Sequence, residues 1–203
     1  VWTALTEARV TLDDGTVAEL TDLERDLFFT LLIVAGNETT RNAISLGMMA
    51  FLEHPDQWQR VREQGMDTVA VDEVLRHTSP VNYFRRTATA DTRLGGESIR
   101  AGDKVTLWYP SGNRDEKVYE DPHRLDLTRT PNHHLAFGGG GAHFCLGANL
   151  ARLEIEIMFE GLARRLPDLE ATGPADRLRM NLVNGIKHLP VEFTPSAPVL
   201  TPA

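Results

Sequence analysis

Cysteine is almost missing from this chain: Cys145 is the only one among 203 residues. A single thiol cannot build an internal disulfide framework, and it fits a reducing, cytoplasmic compartment. Basic residues are also in deficit, with 21 Lys and Arg against 29 Asp and Glu and a formal net charge of −8. That balance lacks the cationic face that displaces counterions from nucleic acid, so no nucleic-acid partner is expected. The opening VWTALTEARV has no initiator Met, basic start or apolar core of a signal peptide, and it reads like the interior of a longer protein. Long uninterrupted apolar runs are lacking too. The richest segment, DLFFTLLIVAGNETTRNAISLGMMAFLEHP, is cut by GNETTRN, whereas a transmembrane helix needs about 20 apolar residues in a row. No membrane span is expected. Neither an internal repeat nor an interior linker divides the chain, so one partial domain over 1–203 is expected, with a disordered tail at 195–203.

What is present suffices for a core, since 41% of residues are hydrophobic. The long apolar segment starts after Thr21 and Asp22, plausible N-cap residues with Glu24 close behind, and must end near Pro55. Apolar residues lie on all its faces, which predicts a buried central helix. Gly36, Thr39 and Thr40 weaken that helix midway, and a locally widened turn there would mark a ligand site. In MDTVAVDEVLRHTSPV, Val69, Val71, Val74 and Leu75 line one side of a short helix that stops before Pro80. Glu73 and Arg76 share a face there, as an ion pair requires, although a solvated surface pair reads the same way.

The period then changes. VNYFRRTATADTRLGGESIRAGDKVTLWYP alternates and carries Gly95-Gly96, which predicts short strands and a hairpin. Residues 111–132 read as an irregular polar meander, long for a loop. Leu146, Leu150, Leu153 and Ile157 recur at helical spacing until Pro167, and Asn184-Gly185 between two apolar runs predicts a second hairpin. The fold class is therefore mainly α with small β-sheets.

FGGGGAHFCLGANLAR, residues 137–152, sets the lone thiol between four glycines and a helix start. Unpaired backbone N–H groups and the positive helix end favour a thiolate at such a place. The glycines let a large flat group approach the backbone closely. A phosphate cradle would need the P-loop Lys and Ser/Thr or the spaced dinucleotide fingerprint, and neither occurs. A cysteine nucleophile would need a base, for which His143, two residues away, is weak support. A structural buried cysteine would not need four glycines. A thiolate ligand to a haem iron uses every feature.

These residues resemble the cytochrome P450 family. FGGGGAHFCLG is similar to its haem-binding loop, AGNETT to its oxygen-binding helix, EVLR to its Glu-x-x-Arg, and NRD with DPHRLDLTR to its meander, all in the family's order. The loop here is one residue longer than the common pattern. That longer loop, with GANLAR, AGNETTRNAI and NGIKHLPV, resembles an actinobacterial subgroup acting on sterol side chains and methyl-branched lipids.

The resemblance implies the C-terminal portion of the cytochrome P450 fold, a haem b cofactor, and Cys145 as metal ligand and axial thiolate. It implies Phe137, Gly138 and Gly147 around the proximal face, and Ala35 and Gly36 beside the iron where dioxygen binds. Glu38 and Thr39 match the catalytic acid–alcohol pair that relays protons. Arg86 and His134 match positions that hold the haem propionates; a bidentate fork suits a carboxylate, and only one of Arg85 and Arg86 can face the haem from a strand. Glu73, Arg76 and Arg129 match a structural triad. Val81, Asn82, Val183 and Asn184 match loops that reach the pocket. The implied activity is monooxygenation of an unactivated C–H bond in an apolar, lipid-like substrate, with electrons from a ferredoxin and its NAD(P)H-dependent reductase. A haem peroxygenase and a non-catalytic haem-binding module or inactive remnant are the alternatives. The family's fold is about twice this length, so the chain alone is expected to be incomplete and inactive.

Overall fold

The computed structural model describes residues 2–195, and the tail expectation falls mostly outside them. The chain divides into two compact units, 1–38 and 39–203.

In the first unit a short helix α1 (Trp2–Thr6) precedes an antiparallel hairpin of β1 (Arg9–Thr11) and β2 (Val17–Glu19). Helix α2 (Asp22–Glu53) begins here and continues into the second unit. Its start is a reciprocal capping box. Thr21 N–H and Oγ1 donate to Glu24 Oε2 at 2.8 and 2.7 Å, while Glu24 N–H donates to Thr21 Oγ1 at 3.3 Å. The helix runs as unbroken α-helix through Gly36–Thr40, so the widened turn expected there does not form. Its intrahelical ladder tolerates one glycine and two threonines inside 32 residues. The buried-helix expectation holds only for the second part. Leu27, Leu31 and Val34 are exposed, whereas Ala43, Leu46, Ala50 and Phe51 are buried.

In the second unit α2 is followed by α3 (Pro55–Gln64) and α4 (Thr68–Thr78). Asp67 caps α4, its Oδ1 accepting from Ala70 N–H at 2.8 Å. The core gathers where these helices meet α6 (Ala148–Arg165): Phe51 packs on Trp58 and Phe159 at 5.2 and 5.0 Å between ring centroids, with Val71, Val74 and Ile155 beside them. Gly47 permits this approach, because a Cβ there would lie 2.6 Å from Phe159 Cζ and 2.8 Å from Val74 Cγ1.

Five strand pairs complete the described fold, all antiparallel and each only two strands wide; four lie in this unit. Strand β3 (Tyr83–Thr87) pairs with β6 (Lys104–Trp108) around the hairpin of β4 (Thr92–Leu94) and β5 (Glu97–Ile99). Gly95 and Gly96 turn that hairpin at φ 59° and 91°, as expected. A one-turn helix α5 (Tyr109–Gly112) opens the irregular meander, which continues to α6. After α6 come β7 (Glu170–Ala171), β8 (Asp176–Arg177), β9 (Ile186–His188) and β10 (Val191–Glu192), paired β7–β10 and β8–β9.

Two expectations are corrected here. Asn184-Gly185 is not a hairpin turn: Asn184 N–H donates to Pro80 O at 2.9 Å, and Val183 bridges Val81. Gly185 serves close packing instead, since a Cβ would meet Leu178 Cδ1 at 2.5 Å and Asn42 Oδ1 at 2.7 Å. The second concerns α6, whose buried stripe is Ala148, Ile155, Phe159 and Ala163. Leu146, Leu150, Leu153 and Ile157, the residues that gave the helical period, are 50–78% exposed. Periodicity located the helix but not the side that the rest of this chain covers.

Candidate functional site

The site is built from the second unit alone, and its frame is the Glu73–Arg76 pair on α4. Both side chains are fully buried. Arg76 Nε donates to Glu73 Oε2 at 2.7 Å and Nη2 to Oε1 at 2.8 Å, so the pair is bidentate. The remaining guanidinium hydrogens reach backbone carbonyls of the meander, those of Asn113, Pro122 and Arg124, at 2.8–3.0 Å. Glu73 in turn accepts from Asp126 N–H at 3.0 Å and Asn132 Nδ2 at 3.1 Å, and Arg129 Nε lies 3.2 Å from its carboxylate. Nearly every lone pair and hydrogen of two buried charges is thus matched, which is the condition under which such a pair is tolerated. The structure joins all three residues of the expected triad.

Asn113 passes this order to the cysteine loop. It is fully buried, donates from Nδ2 to Ser79 Oγ at 2.8 Å, and accepts from Leu135 N–H at 2.7 Å. Leu135 stands two residues before Phe137, whose carbonyl accepts from Cys145 N–H at 3.0 Å and closes the loop at its neck. Gly138, Gly140 and Gly141 hold φ of 89°, 99° and 75° inside it, values that a side chain would strain. Cys145 is exposed, and α6 starts three residues later with Gly147 at its N-cap.

One wall of a cavity of about 490 Å³ is this loop, through Gly138, Gly139, Gly140, Ala142 and His143. Leu107, Trp108, Tyr109 and Leu135 give it apolar walls, and Arg86 adds a guanidinium from β3. Arg86 rather than Arg85 lines the cavity, in keeping with the alternation of a strand. His143 also lines it, a residue that the sequence alone offers only as a base for the thiol. The signal that would have found it is its place in the loop itself, two residues before the cysteine. His134 is placed otherwise. Its side chain is 4% exposed, Nε2 lies 3.2 Å from Asp72 Oδ1, and Nδ1 accepts from Ala136 N–H at 3.2 Å, so both ring nitrogens have partners inside the protein. Burial, the largest single influence, pushes the Asp72 carboxyl up, but the hydrogen bonds from His134 and Arg152 outweigh it and hold the group below its usual range.

Phe137 is buried under this cluster, 8% exposed. Gly138 lines the cavity. Val81 and Asn82 stand beside Val183 and Asn184, joined by the Val81–Val183 bridge and by Asn82 N–H donating to Leu182 O at 2.8 Å. Ala35, Gly36, Glu38 and Thr39 follow one another on α2, the first three in the first unit and half-buried Thr39 in the second.

A haem fits the donor set. Cys145 offers one soft sulfur, and among the described residues no three His, Cys, Asp or Glu side chains gather as a metal site. One protein ligand at Cys145 suits a metal that brings its other ligands with it, as a macrocycle does. Glycines without side chains, apolar walls and two nitrogen-bearing side chains suit a flat apolar ring edged with carboxylates.

Comparison with known proteins agrees. The family model for Cytochrome P450 matches residues 66–166, from the start of α4 to the end of α6. The chain is 51% identical over 191 residues to a steroid C26-monooxygenase of Rhodococcus jostii, covering 94% of this chain and 39% of that protein. It is also 51% identical over 193 residues to a methyl-branched lipid omega-hydroxylase of Mycobacterium tuberculosis, covering 94% and 44%. Among solved structures, a cytochrome P450 of Mycobacterium marinum in complex with pseudoionone superposes with a TM-score of 0.83 at 44% identity, covering 95% of this chain and 45% of that one. A cytochrome P450 of Bacillus subtilis gives 0.82 at 40% identity, covering 89% and 49%. The chain spans about two fifths of the length of the curated relatives it matches. With the buried Glu73–Arg76–Arg129 frame, the glycine-lined cysteine loop and these likenesses together, the chain belongs to the cytochrome P450 family.

Proposed function

We propose that this chain carries the thiolate side of a haem b site in a monooxygenase that hydroxylates an unactivated C–H bond of an apolar lipid. The observation that supports this best is an exposed Cys145 in the same loop whose glycines, with Arg86 and His143, line one largely apolar cavity. A haem held by the Cys145 sulfur would supply dioxygen activation when bound.

The chain's own residues then have separable tasks. Cys145 presents the sulfur, held by its N–H bond to Phe137 O. Arg86 and His143 bind the two carboxylates, the guanidinium as a fork and the imidazole as a single donor. His134 supports the loop from behind. Phe137, Gly138 and Gly147 shape the proximal surface, and Ala35 and Gly36 leave space on α2 for a small ligand. Thr39 Oγ1 holds a proton for the oxygen site, and the Glu38 carboxylate exchanges protons with solvent. Electrons come singly from a ferredoxin fed by an NAD(P)H-dependent reductase.

The relatives' names, a steroid C26 position and the omega end of methyl-branched lipids, support a lipid substrate attacked near a chain terminus. The test is turnover of a sterol bearing a branched side chain and of a methyl-branched fatty acid by the protein of full family length. Dioxygen-dependent hydroxylation driven by ferredoxin, and lowered in Thr39→Ala, is expected. Turnover with hydrogen peroxide alone, indifferent to Thr39→Ala, would replace the monooxygenase with a peroxygenase.

A further inference from the structure

A carboxylate with no place in the scheme above stands behind the cysteine loop. Asp72 on α4 is 19% exposed, and its Oδ1 is shared by two donors from different parts of the chain. Arg152 Nε on α6 donates to it at 2.7 Å. His134, from the segment entering the loop, places Nε2 at 3.2 Å. Because His134 Nδ1 accepts from Ala136 N–H, the ring nitrogen left to donate to Asp72 is Nε2. One oxygen therefore binds α4, α6 and the loop entrance together.

Both donors also touch the same aromatic ring. Arg152 Cζ lies 4.6 Å from the Phe137 ring centroid, a cation–π distance, and the His134 ring lies 5.6 Å from it. Phe137 O is the acceptor of Cys145 N–H. The route from Asp72 to Cys145 is short: carboxylate, two donors, one ring held between them, and one backbone hydrogen bond.

We propose that Asp72 is a positioning residue for Cys145, acting through His134, Arg152 and Phe137 as a clamp on the neck of the cysteine loop. The proposal rests on the reading of Cys145 as a haem ligand for its consequence, but not for the clamp itself. Groups behind a metal ligand set its orientation and tune its electron donation, so their loss is felt at the metal. Arg152 without Asp72 would keep a charge with no counterpart, and His134 would lose the acceptor that fixes its ring.

The test compares the 203-residue chain with Asp72→Asn and Asp72→Ala, using Arg152→Lys as a third variant that keeps the charge but not the planar fork. Amide hydrogen exchange is read residue by residue. The clamp predicts that exchange at 137–146, Cys145 N–H above all, accelerates about tenfold, while amides of α3 keep their parent rates. Unchanged loop exchange overturns the proposal, and so does equal acceleration in α3 and the loop, which would make Asp72 a general stabiliser. If Asp72→Ala does not fold, Asp72→Asn carries the comparison. The second readout is the reduced, carbon-monoxide-bound spectrum after haem is added: the variants should show a larger unshifted component than the parent. A parent without any red-shifted band, at this length and at full family length, would sink the haem reading, and the exchange pattern would still decide the clamp.

Discussion

Arg76 meets Glu73 twice, at 2.7 and 2.8 Å, and water reaches neither side chain. The same guanidinium ties down three carbonyls of the meander, so this helix pair organises residues 37 to 48 positions away. Removing either partner leaves an uncompensated buried charge. Arg76→Ala and Glu73→Ala should each lower unfolding free energy by about 3–5 kcal/mol, read as a reduced urea midpoint. Arg76→Lys should rescue little, because an ammonium cannot bridge both Glu73 oxygens and reach the three carbonyls. A near-parental midpoint for Arg76→Lys would show that charge alone suffices.

Gly47 and Gly36 lie on one helix, and alanine should act on them in opposite directions. A Cβ at Gly36 meets nothing within 4 Å, so Gly36→Ala should stabilise by about 0.5–1 kcal/mol through helix propensity. At Gly47 the Cβ would lie inside the Phe159 and Val74 contacts, so overpacking should cost about 1–3 kcal/mol and outweigh the propensity gain. Equal signs from thermal melts would contradict the packing described for Phe159.

Ile155 and Ile157 differ by two positions on α6 and by 0% against 57% exposure. Ile155→Ala should cost about 2–5 kcal/mol, whereas Ile157→Ala should stay within about 0.5 kcal/mol in this chain. Comparable losses would mean that the outer face of α6 is covered in solution.

His77 gives the fold a dependence on pH. Burial is the main cause of its pKa falling to about 4, assisted by the nearby positive charges of Arg114 and Arg76. Its Nδ1 is buried without a hydrogen-bond partner among the described residues. Between about pH 4 and pH 6.5 the folded ring is neutral while the unfolded ring is protonated, so the unfolded state binds more protons. Stability is therefore full above about pH 6.5 and is lost as pH falls toward 4, by about 3 kcal/mol at most from this group. Unfolding titrations across that window should show a slope in the parent that flattens in His77→Gln; an unaltered slope would assign the effect to other groups.

The sequence was most legible where a local rule is self-contained. Thr21 and Asp22 with Glu24 close behind marked a helix start, Gly95-Gly96 a hairpin, and Glu73 with Arg76 a shared helix face, since each depends on neighbours within four residues. It was least legible where partners come from far along the chain. Nothing local says that Gly185 must admit Leu178 and Asn42, so its Asn-Gly dipeptide read as a turn. Nothing local says that Ile155 rather than Ile157 is covered, because each lies on its own apolar stripe of helical spacing. The two histidines show the same limit. His134 precedes the cysteine loop and His143 lies within it, and only the fold turns one toward Asp72 and places the other with Arg86 along the cavity.

The measurement closest to the central claim is the absorbance spectrum of the reduced, carbon-monoxide-bound protein, with Cys145→Ser beside it. A strongly red-shifted Soret band that disappears in Cys145→Ser is expected, in the chain itself or in the protein of full family length. A band typical of histidine ligation in both lengths, or one that survives Cys145→Ser, would contradict it.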